Sequence, residues 1–179
     1  MPSLNNSILI ISKMLLFSEK PQNLPASYGL VVFYAIALLL ATSLLGTLGQ
    51  YYENFRIATV QIAIYAATVW VFLRLSGRAG RWKQTITALF GTACLIRALS
   101  HFPIALVWSN VRTNPEGAIW VAMTAIPFGL WSLAVSVLII KESLEVSGIK
   151  AFAISFGLAL LTSLMAIFIL GLGSPQAGT

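Results

Sequence analysis

Long apolar runs recur along the chain and are separated by short polar segments. A helix needs about 20 consecutive apolar residues to cross the hydrocarbon core of a bilayer, and five runs reach that length. They cover residues 28–48, 57–75, 86–107, 118–140 and 151–172. Charged residues make up only 9% of the chain, too few to give five helices the polar faces of a soluble protein. The sequence therefore predicts an all-α fold, a polytopic membrane helix bundle with five transmembrane helices.

Residues 1–27 form a separate segment ahead of the spans. Polar pairs recur in this segment seven residues apart, at Asn5/Asn6, Ser12/Lys13 and Glu19/Lys20. Two turns of helix take about seven residues, so the pairs align as one polar stripe beside an apolar face. The pattern predicts an amphipathic helix that lies in the membrane interface and is stopped by Pro21. Packing of the same helix on the bundle is the alternative that this periodicity leaves open.

The cations are distributed unevenly between the two sides of the predicted transmembrane domain, residues 28–173. If the N-terminus is cytoplasmic, the inner segments carry Lys13, Lys20, Arg74, Arg78, Arg81, Lys83, Lys141 and Lys150. The outer loops then carry only Arg56 and Arg112. This bias predicts a cytoplasmic N-terminus and, after five spans, an outer flexible tail at residues 174–179. The early basic region and cleavage site of a signal peptide are missing at the N-terminus.

Four cations cluster in the loop after the second span, at Arg74, Arg78, Arg81 and Lys83. Cations at this position act as topology determinants under the positive-inside rule. They are also candidate contacts for anionic lipid, each worth about 1 kcal/mol, or for a protein partner. The net charge of +6 is thus explained by topology and by the lipid bilayer as partner. We expect no nucleic-acid binding, because the chain has no separate basic domain or RNA-binding motif.

Arg97 lies near the middle of the third apolar run, about 16 Å from its start at Ile86. A charge at this depth costs roughly 2.5–3.5 kcal/mol and usually has a partner or a function. The chain has no Asp, and its five Glu residues all lie outside the apolar runs. Any partner of Arg97 inside the bilayer must therefore be an uncharged group or a ligand.

The neighbouring spans supply uncharged partners at matching depth. Arg97 and His101 are four residues apart and share a helix face, as do Gln61 and Tyr65 on the second span. Since consecutive helices with short connections are usually neighbours, Gln61 is expected beside His101 and Tyr65 beside Arg97. Thr124 on the fourth span begins at a similar depth to His101. The sequence predicts an intramembrane polar cluster formed by these five residues.

Three interpretations of this cluster stay open. In the first, Arg97 is satisfied by carbonyls, hydroxyls and Gln61 and has a structural role only. In the second, the guanidinium binds an anion such as a lipid phosphate that enters from the bilayer. In the third, His101 takes part in a proton relay, although no carboxylate continues the path.

The residues that most enzymes need are missing. His101 is the single histidine, Asp is absent, and Cys94 is the single cysteine and lies within the third span. These residues provide neither a metal cluster nor a nucleophile–base pair. The spacing of Gly77 and Gly80 does not match a phosphate-binding loop. We therefore expect a protein that is not an enzyme and that has no metal and no cofactor.

Small residues recur at four-residue spacing on the last two spans. Ser132 and Ser136 lie on the fourth span, and Ser155, Ala159 and Ser163 lie on the fifth. Such spacing lets helix backbones approach closely, which predicts internal packing or, as the alternative, a homo-oligomer interface.

One stretch has the sequence Trp70-Val71-Phe72-Leu73-Arg74-Leu75-Ser76-Gly77-Arg78-Ala79-Gly80-Arg81-Trp82-Lys83-Gln84-Thr85, and Ala88, Gly91 and Pro103 follow it. This pattern resembles the centre of Yip1-type membrane proteins. In that family a span ends in a basic turn that contains Gly, an aromatic residue and Gln follow, and a span of small residues leads to a Pro. The five-span plan with a cytoplasmic N-terminus also fits. The resemblance covers about a third of the chain. The short loops and compact length favour a bacterial origin and hence the inner membrane, and the resemblance implies no catalytic residues.

Two functions follow as hypotheses. The first is a non-enzymatic, Yip1-like membrane-organising or assembly protein that contacts partners through helix faces and the basic loop. The second is a small transporter or lipid-handling protein with an intramembrane anion site at Arg97 and His101. A dry, packed bundle would favour the first hypothesis, and a water-filled cavity that reaches Arg97 would favour the second.

Overall fold

The computed structural model describes residues 4–44, 51–111 and 117–171. Six α-helices account for most of these residues, and no strand occurs among them. They are α1 (Leu4–Leu15), α2 (Tyr28–Leu44), α3 (Tyr51–Leu75), α4 (Trp82–Val111), α5 (Gly117–Leu144) and α6 (Gly148–Gly171). The prediction of an all-α fold is confirmed for this part of the chain. The predicted tail at 174–179 lies outside the described residues.

Four helical segments are long and apolar enough to cross a membrane, which is compatible with an integral membrane protein. They are Phe55–Leu75, Ala79–Val107, Ile119–Leu144 and Gly148–Met165. The first predicted span corresponds to α2, whose described part has 17 residues and whose predicted end, 45–48, lies outside the described ranges. Five transmembrane helices therefore stay a prediction.

Three helices end in the same local structure. Phe17, Gly77 and Glu145 follow α1, α3 and α5 with φ angles of 58°, 70° and 51°, in the left-handed region. In each case the next residue donates its backbone N–H to a carbonyl five residues back, as from Ser18 to Lys13 at 3.0 Å. This arrangement satisfies carbonyls that a helix end leaves free. It ends α1 at Leu15, before the Pro21 that the sequence predicted as the stop.

The α1 helix packs on the bundle, chiefly against α4. Its Ile11 and Met14 side chains are fully buried, whereas Asn5, Ser12 and Lys13 on its polar stripe are exposed. Packing on the bundle, the alternative left open by the sequence, thus describes this helix. Its location in the membrane interface stays a prediction.

The five long helices form a ring in the order α2, α4, α5, α6 and α3, and α3 closes the ring by packing on α2. Consecutive helices α3 and α4 contact each other much less than α3 contacts α2 and α6, or than α4 contacts α2 and α5. Most of α3 therefore faces α4 across the centre of the ring. This arrangement differs from the side-by-side pairing predicted from the short loop between them.

The two ends of the bundle differ in packing. We call the end with the α3–α4 and α5–α6 turns the basic end, and the opposite end the far end. Near the basic end, residues 85–92 of α4 are all buried. Toward the far end, Leu99, Phe102 and Leu106 of the same helix are exposed by 53–71%. The ring is therefore tightly packed at the basic end and more open beyond the middle of α4.

Candidate functional site: a central polar cavity

All five long helices contribute side chains to a central cavity of about 340 Å³. The volume is near the lower end of the roughly 300–1,000 Å³ that ligand pockets usually have. About half of the residues that line it have polar side chains: Thr42, Gln61, Tyr65, Arg97, Ser132, Ser136, Ser155, Thr162 and Ser163. Among the described residues, no acidic side chain lines the cavity. The cavity thus carries one formal positive charge and many hydrogen-bonding groups.

The cavity lies in the middle of the helices. At about 1.5 Å per residue, Arg97 is roughly 21 Å along α4 from Lys83 at the basic end. Ser155 is roughly 10 Å along α6 from Gly148 at the same end. The cavity therefore extends over roughly 10 Å along the bundle.

The cavity is closed toward the basic end. There Phe90 and Ser155 line it, and each is only 3% exposed. Farther from that end, Arg97 on α4 and Ser163 on α6 are both exposed. Arg97 thus lies at the open side of the cavity, and Ser155 lies at its floor.

Gln61 and Tyr65 line the cavity on α3, across the ring from Arg97. The Tyr65 hydroxyl lies near the Ser136 side chain of α5, which also lines the cavity. The structure therefore brings three of the five predicted cluster residues, Arg97, Gln61 and Tyr65, to one cavity.

His101 and Thr124 are not among the residues that line the cavity. His101 is half-buried one helical turn beyond Arg97, toward the far end. The Thr124 hydroxyl donates to the Trp120 carbonyl of its own helix at 2.8 Å. The expected pairing of Gln61 with His101 stays a prediction, since Gln61 lines the cavity and His101 does not.

Three acidic side chains, Glu19, Glu142 and Glu145, contact groups other than Arg97. Glu142 forms an ion pair with Lys20 at 3.1 Å, and Glu145 pairs with Arg78 and Arg81. Glu19 is the hydrogen-bond acceptor of Asn23. Within the described part of the chain, the groups that share the cavity with Arg97 are thus uncharged.

Ser155 is the most notable polar group of the cavity floor. Its Oγ atom is buried and has no hydrogen-bond partner among the described residues. A buried hydroxyl without a partner costs roughly 1–3 kcal/mol, so such groups are usually satisfied by protein, water or ligand. Thr162, which also lines the cavity, instead donates to the Leu158 carbonyl of its own helix at 2.8 Å. Ser155 is therefore available to a molecule in the cavity.

Sequence reasoning placed the serines of α5 and α6 in close helix contacts, whereas the structure places them on the cavity wall. Ser132, Ser136, Ser155 and Ser163 all line it. Their four-residue spacing showed that they share helix faces but not what those faces meet. The matching stripe Gln61–Tyr65 on another span was the available signal that these polar faces converge. Thr42 and Thr162 had no such signal.

The four cations of the basic loop each have a contact within the protein. Glu145 accepts from Arg78 at 2.6 Å and from Arg81 at 2.7 Å. These contacts, the hydrogen bond from Arg81 first, lower the pKa of the Glu145 carboxyl. Arg74 lies over the Trp70 ring at 5.0 Å, and Lys83 over the Tyr28 ring at 3.8 Å. Exposed contacts of this kind are weak, and binding of anionic lipid by these cations stays a prediction.

The described residues contain no group of three or more His, Cys, Asp or Glu side chains that could hold a metal ion. What the cavity can do is bind: a guanidinium can donate two parallel hydrogen bonds to a phosphate or carboxylate, and hydroxyls can donate and accept. Comparisons with protein-family models, with curated proteins and with solved structures each found no match to this chain.

Proposed function

We propose that this chain is an integral membrane protein that binds a small anion, or the anionic head group of an amphiphile, in its central cavity. One observation carries the proposal: a polar cavity lined by all five long helices reaches Arg97. A bundle that served only as packing would fill this space with side chains, because protein interiors are close-packed. Hydroxyls around an arginine at membrane depth are typical of a ligand or ion pathway.

The energetic cost of placing the Arg97 charge within a membrane span supports the same proposal. A guanidinium at the centre of a span costs roughly 2.5–3.5 kcal/mol unless a partner offsets it. The uncharged groups around Arg97 can solvate it, and an anion would in addition neutralise it. Arginine suits this role, because its planar fork binds phosphate or carboxylate with two hydrogen bonds.

In this proposal the protein is a small transporter or a lipid-handling protein. Its five long helices span the bacterial inner membrane, and the basic end faces the cytoplasm under the positive-inside rule. The open side of the cavity then faces the outer half of the bilayer. Anionic lipids contact the basic end, where Arg74, Arg78, Arg81 and Lys83 lie.

The experiment that tests the proposal is native mass spectrometry of the purified protein with two probes, phosphatidylglycerol and inorganic phosphate. Wild type should bind at least one of them above a phosphatidylcholine background. Arg97→Leu should lower the occupancy about tenfold or more, since a charged hydrogen bond contributes roughly 1.5–3 kcal/mol.

Arg56→Leu is the matched control, because it removes the same charge from an arginine of α3 that neither lines the cavity nor belongs to the four proposed lipid contacts. Its occupancy should equal that of wild type. Equal binding by Arg97→Leu and wild type would rule the anion site out. The same spectra count the subunits, which tests the predicted homo-oligomer.

A Yip1-like role in membrane organisation stays a prediction, and the cavity does not favour it. The expected sign of that role was a dry, packed bundle. Capture of a specific partner protein by wild type and by Arg97→Leu alike would support it over the anion site.

A further inference from the structure

The central cavity has two distinct polar ends. Arg97 lies at the open side, and Ser155, with its unpartnered hydroxyl, lies at the floor. Along the helices the two positions differ by roughly 10 Å in height. A bare phosphate ion is much shorter than this distance. Such an ion at Arg97 would leave the floor of the cavity to water.

The size of the cavity points to a larger ligand. At about 340 Å³, the cavity is near the lower end of the roughly 300–1,000 Å³ that pockets for small molecules have. This space is too small for the acyl chains of a phospholipid together with its head group. It suits a phosphate that carries a short polar substituent of a few carbon atoms.

The chemistry of the floor indicates what that substituent bears. The Ser155 hydroxyl has no hydrogen-bond partner among the described residues, and the hydroxyls of Tyr65 and Ser136 also line the cavity. Serine and tyrosine hydroxyls both donate and accept, so they match another hydroxyl better than a second charge. The absence of a carboxylate from the lining disfavours an amine on the ligand.

We propose, on the basis of the anion-binding function above, that the ligand is a polyol phosphate, bound with its phosphate at Arg97 and its hydroxyls at Ser155, Tyr65 and Ser136. Two sources share this chemistry. One is free glycerol 3-phosphate, and the other is the head group of phosphatidylglycerol. For the lipid, the glycerol points to the floor and the acyl chains leave through the open side beside Arg97 and Ser163.

The test compares ligands with and without hydroxyls at constant charge. Dissociation constants are measured for glycerol 3-phosphate and propyl phosphate, and for phosphatidylglycerol and phosphatidylpropanol in nanodiscs. Wild type should bind the hydroxylated member of at least one pair about fivefold more tightly, as expected for one or two net hydrogen bonds. Which pair shows the preference identifies the source as free or lipid.

Ser155→Ala should reduce this preference toward equal binding and leave the affinity for the propyl compounds unchanged. Ser43→Ala is the matched control: Ser43 is also a buried helix serine, but it donates to the Leu39 carbonyl and does not line the cavity. It should keep the wild-type preference. The comparison within wild type needs no variant, so the proposal can be tested even if Ser155→Ala folds poorly.

Two failures are distinguishable. If wild type binds propyl and glycerol compounds equally, and Arg97→Leu still abolishes binding, the polyol assignment is wrong and the anion site stands. If none of the four compounds binds, or if Arg97→Leu binds them as wild type does, both proposals are wrong.

Discussion

Ile11 of α1 lies directly against Gly91 of α4. A Cβ atom at position 91 would overlap Ile11 Cδ1 and would lie 3.2 and 3.3 Å from its Cγ1 and Cγ2 atoms. Ile11 is fully buried. The glycine therefore permits the close approach by which the N-terminal helix docks on the bundle.

Gly91→Ala should destabilise the protein, because the new methyl group forces Ile11 out of a packed site. Overpacking of this kind costs about 1–3 kcal/mol, which a thermal melt in detergent would detect. The same substitution at Gly129 and Gly157 is the control, since a Cβ there meets nothing within 4 Å. These two variants should be neutral or slightly stabilised, because alanine is a better helix former than glycine.

A double-mutant cycle with Ile11→Ala isolates the contact. Ile11→Ala alone should cost about 2–5 kcal/mol by leaving a cavity. In the double variant the alanine at 91 has room, so the total loss should be smaller than the sum of the two single losses. Additive losses would mean that Gly91 and Ile11 do not restrain each other.

The sequence alone predicted an all-α fold, because an apolar segment that crosses a bilayer satisfies its own backbone hydrogen bonds by forming a helix. Period-four spacing also indicated that Gln61 and Tyr65 share a helix face, and the structure has both on one cavity wall. The sequence could not show that α3 faces α4 across a ring. Which helices become neighbours depends on packing between helices that are distant in sequence. His101 shares a helix face with Arg97 but lies one turn farther toward the far end, and it is not among the residues that line the cavity.

Arg97→Lys should weaken anion binding while membrane insertion is kept. Lysine keeps the charge but has no planar fork, so one of two parallel hydrogen bonds to a phosphate is lost. We expect an affinity between those of wild type and Arg97→Leu, measured with the same phosphatidylglycerol and phosphate probes. Full wild-type affinity in Arg97→Lys would show that charge alone suffices and that the fork is irrelevant.

Acidification should release the α3–α4 turn from the end of α5. Arg81 and Arg78 lower the pKa of the Glu145 carboxyl, so these ion pairs stabilise the fold above the ordinary pKa of about 4.5 and are lost as pH falls through the lowered value. Because all three groups are partly exposed, the effect should be small and should weaken with salt.

Hydrogen exchange measures this release. Glu145→Gln at neutral pH should lower the protection factors of the turn amides between Arg78 and Arg81, and it should abolish the further loss of protection that wild type shows in acid. Glu19→Gln is the control, since Glu19 pairs with Asn23 and not with the turn. Unchanged exchange in Glu145→Gln would mean that the ion pairs do not hold the turn.

Cysteine accessibility tests which side of the cavity is open. In a Cys94→Ala background, Ser163→Cys should react with a membrane-impermeant cationic thiol reagent, because Ser163 is exposed beside Arg97. Ser155→Cys, at the buried floor, should react much more slowly.

Ser76→Cys in the exposed α3–α4 turn marks the basic end. In sealed vesicles, Ser163→Cys should react only from the side opposite to Ser76→Cys. Reaction of Ser155→Cys from the Ser76 side would show that the cavity opens toward the basic end.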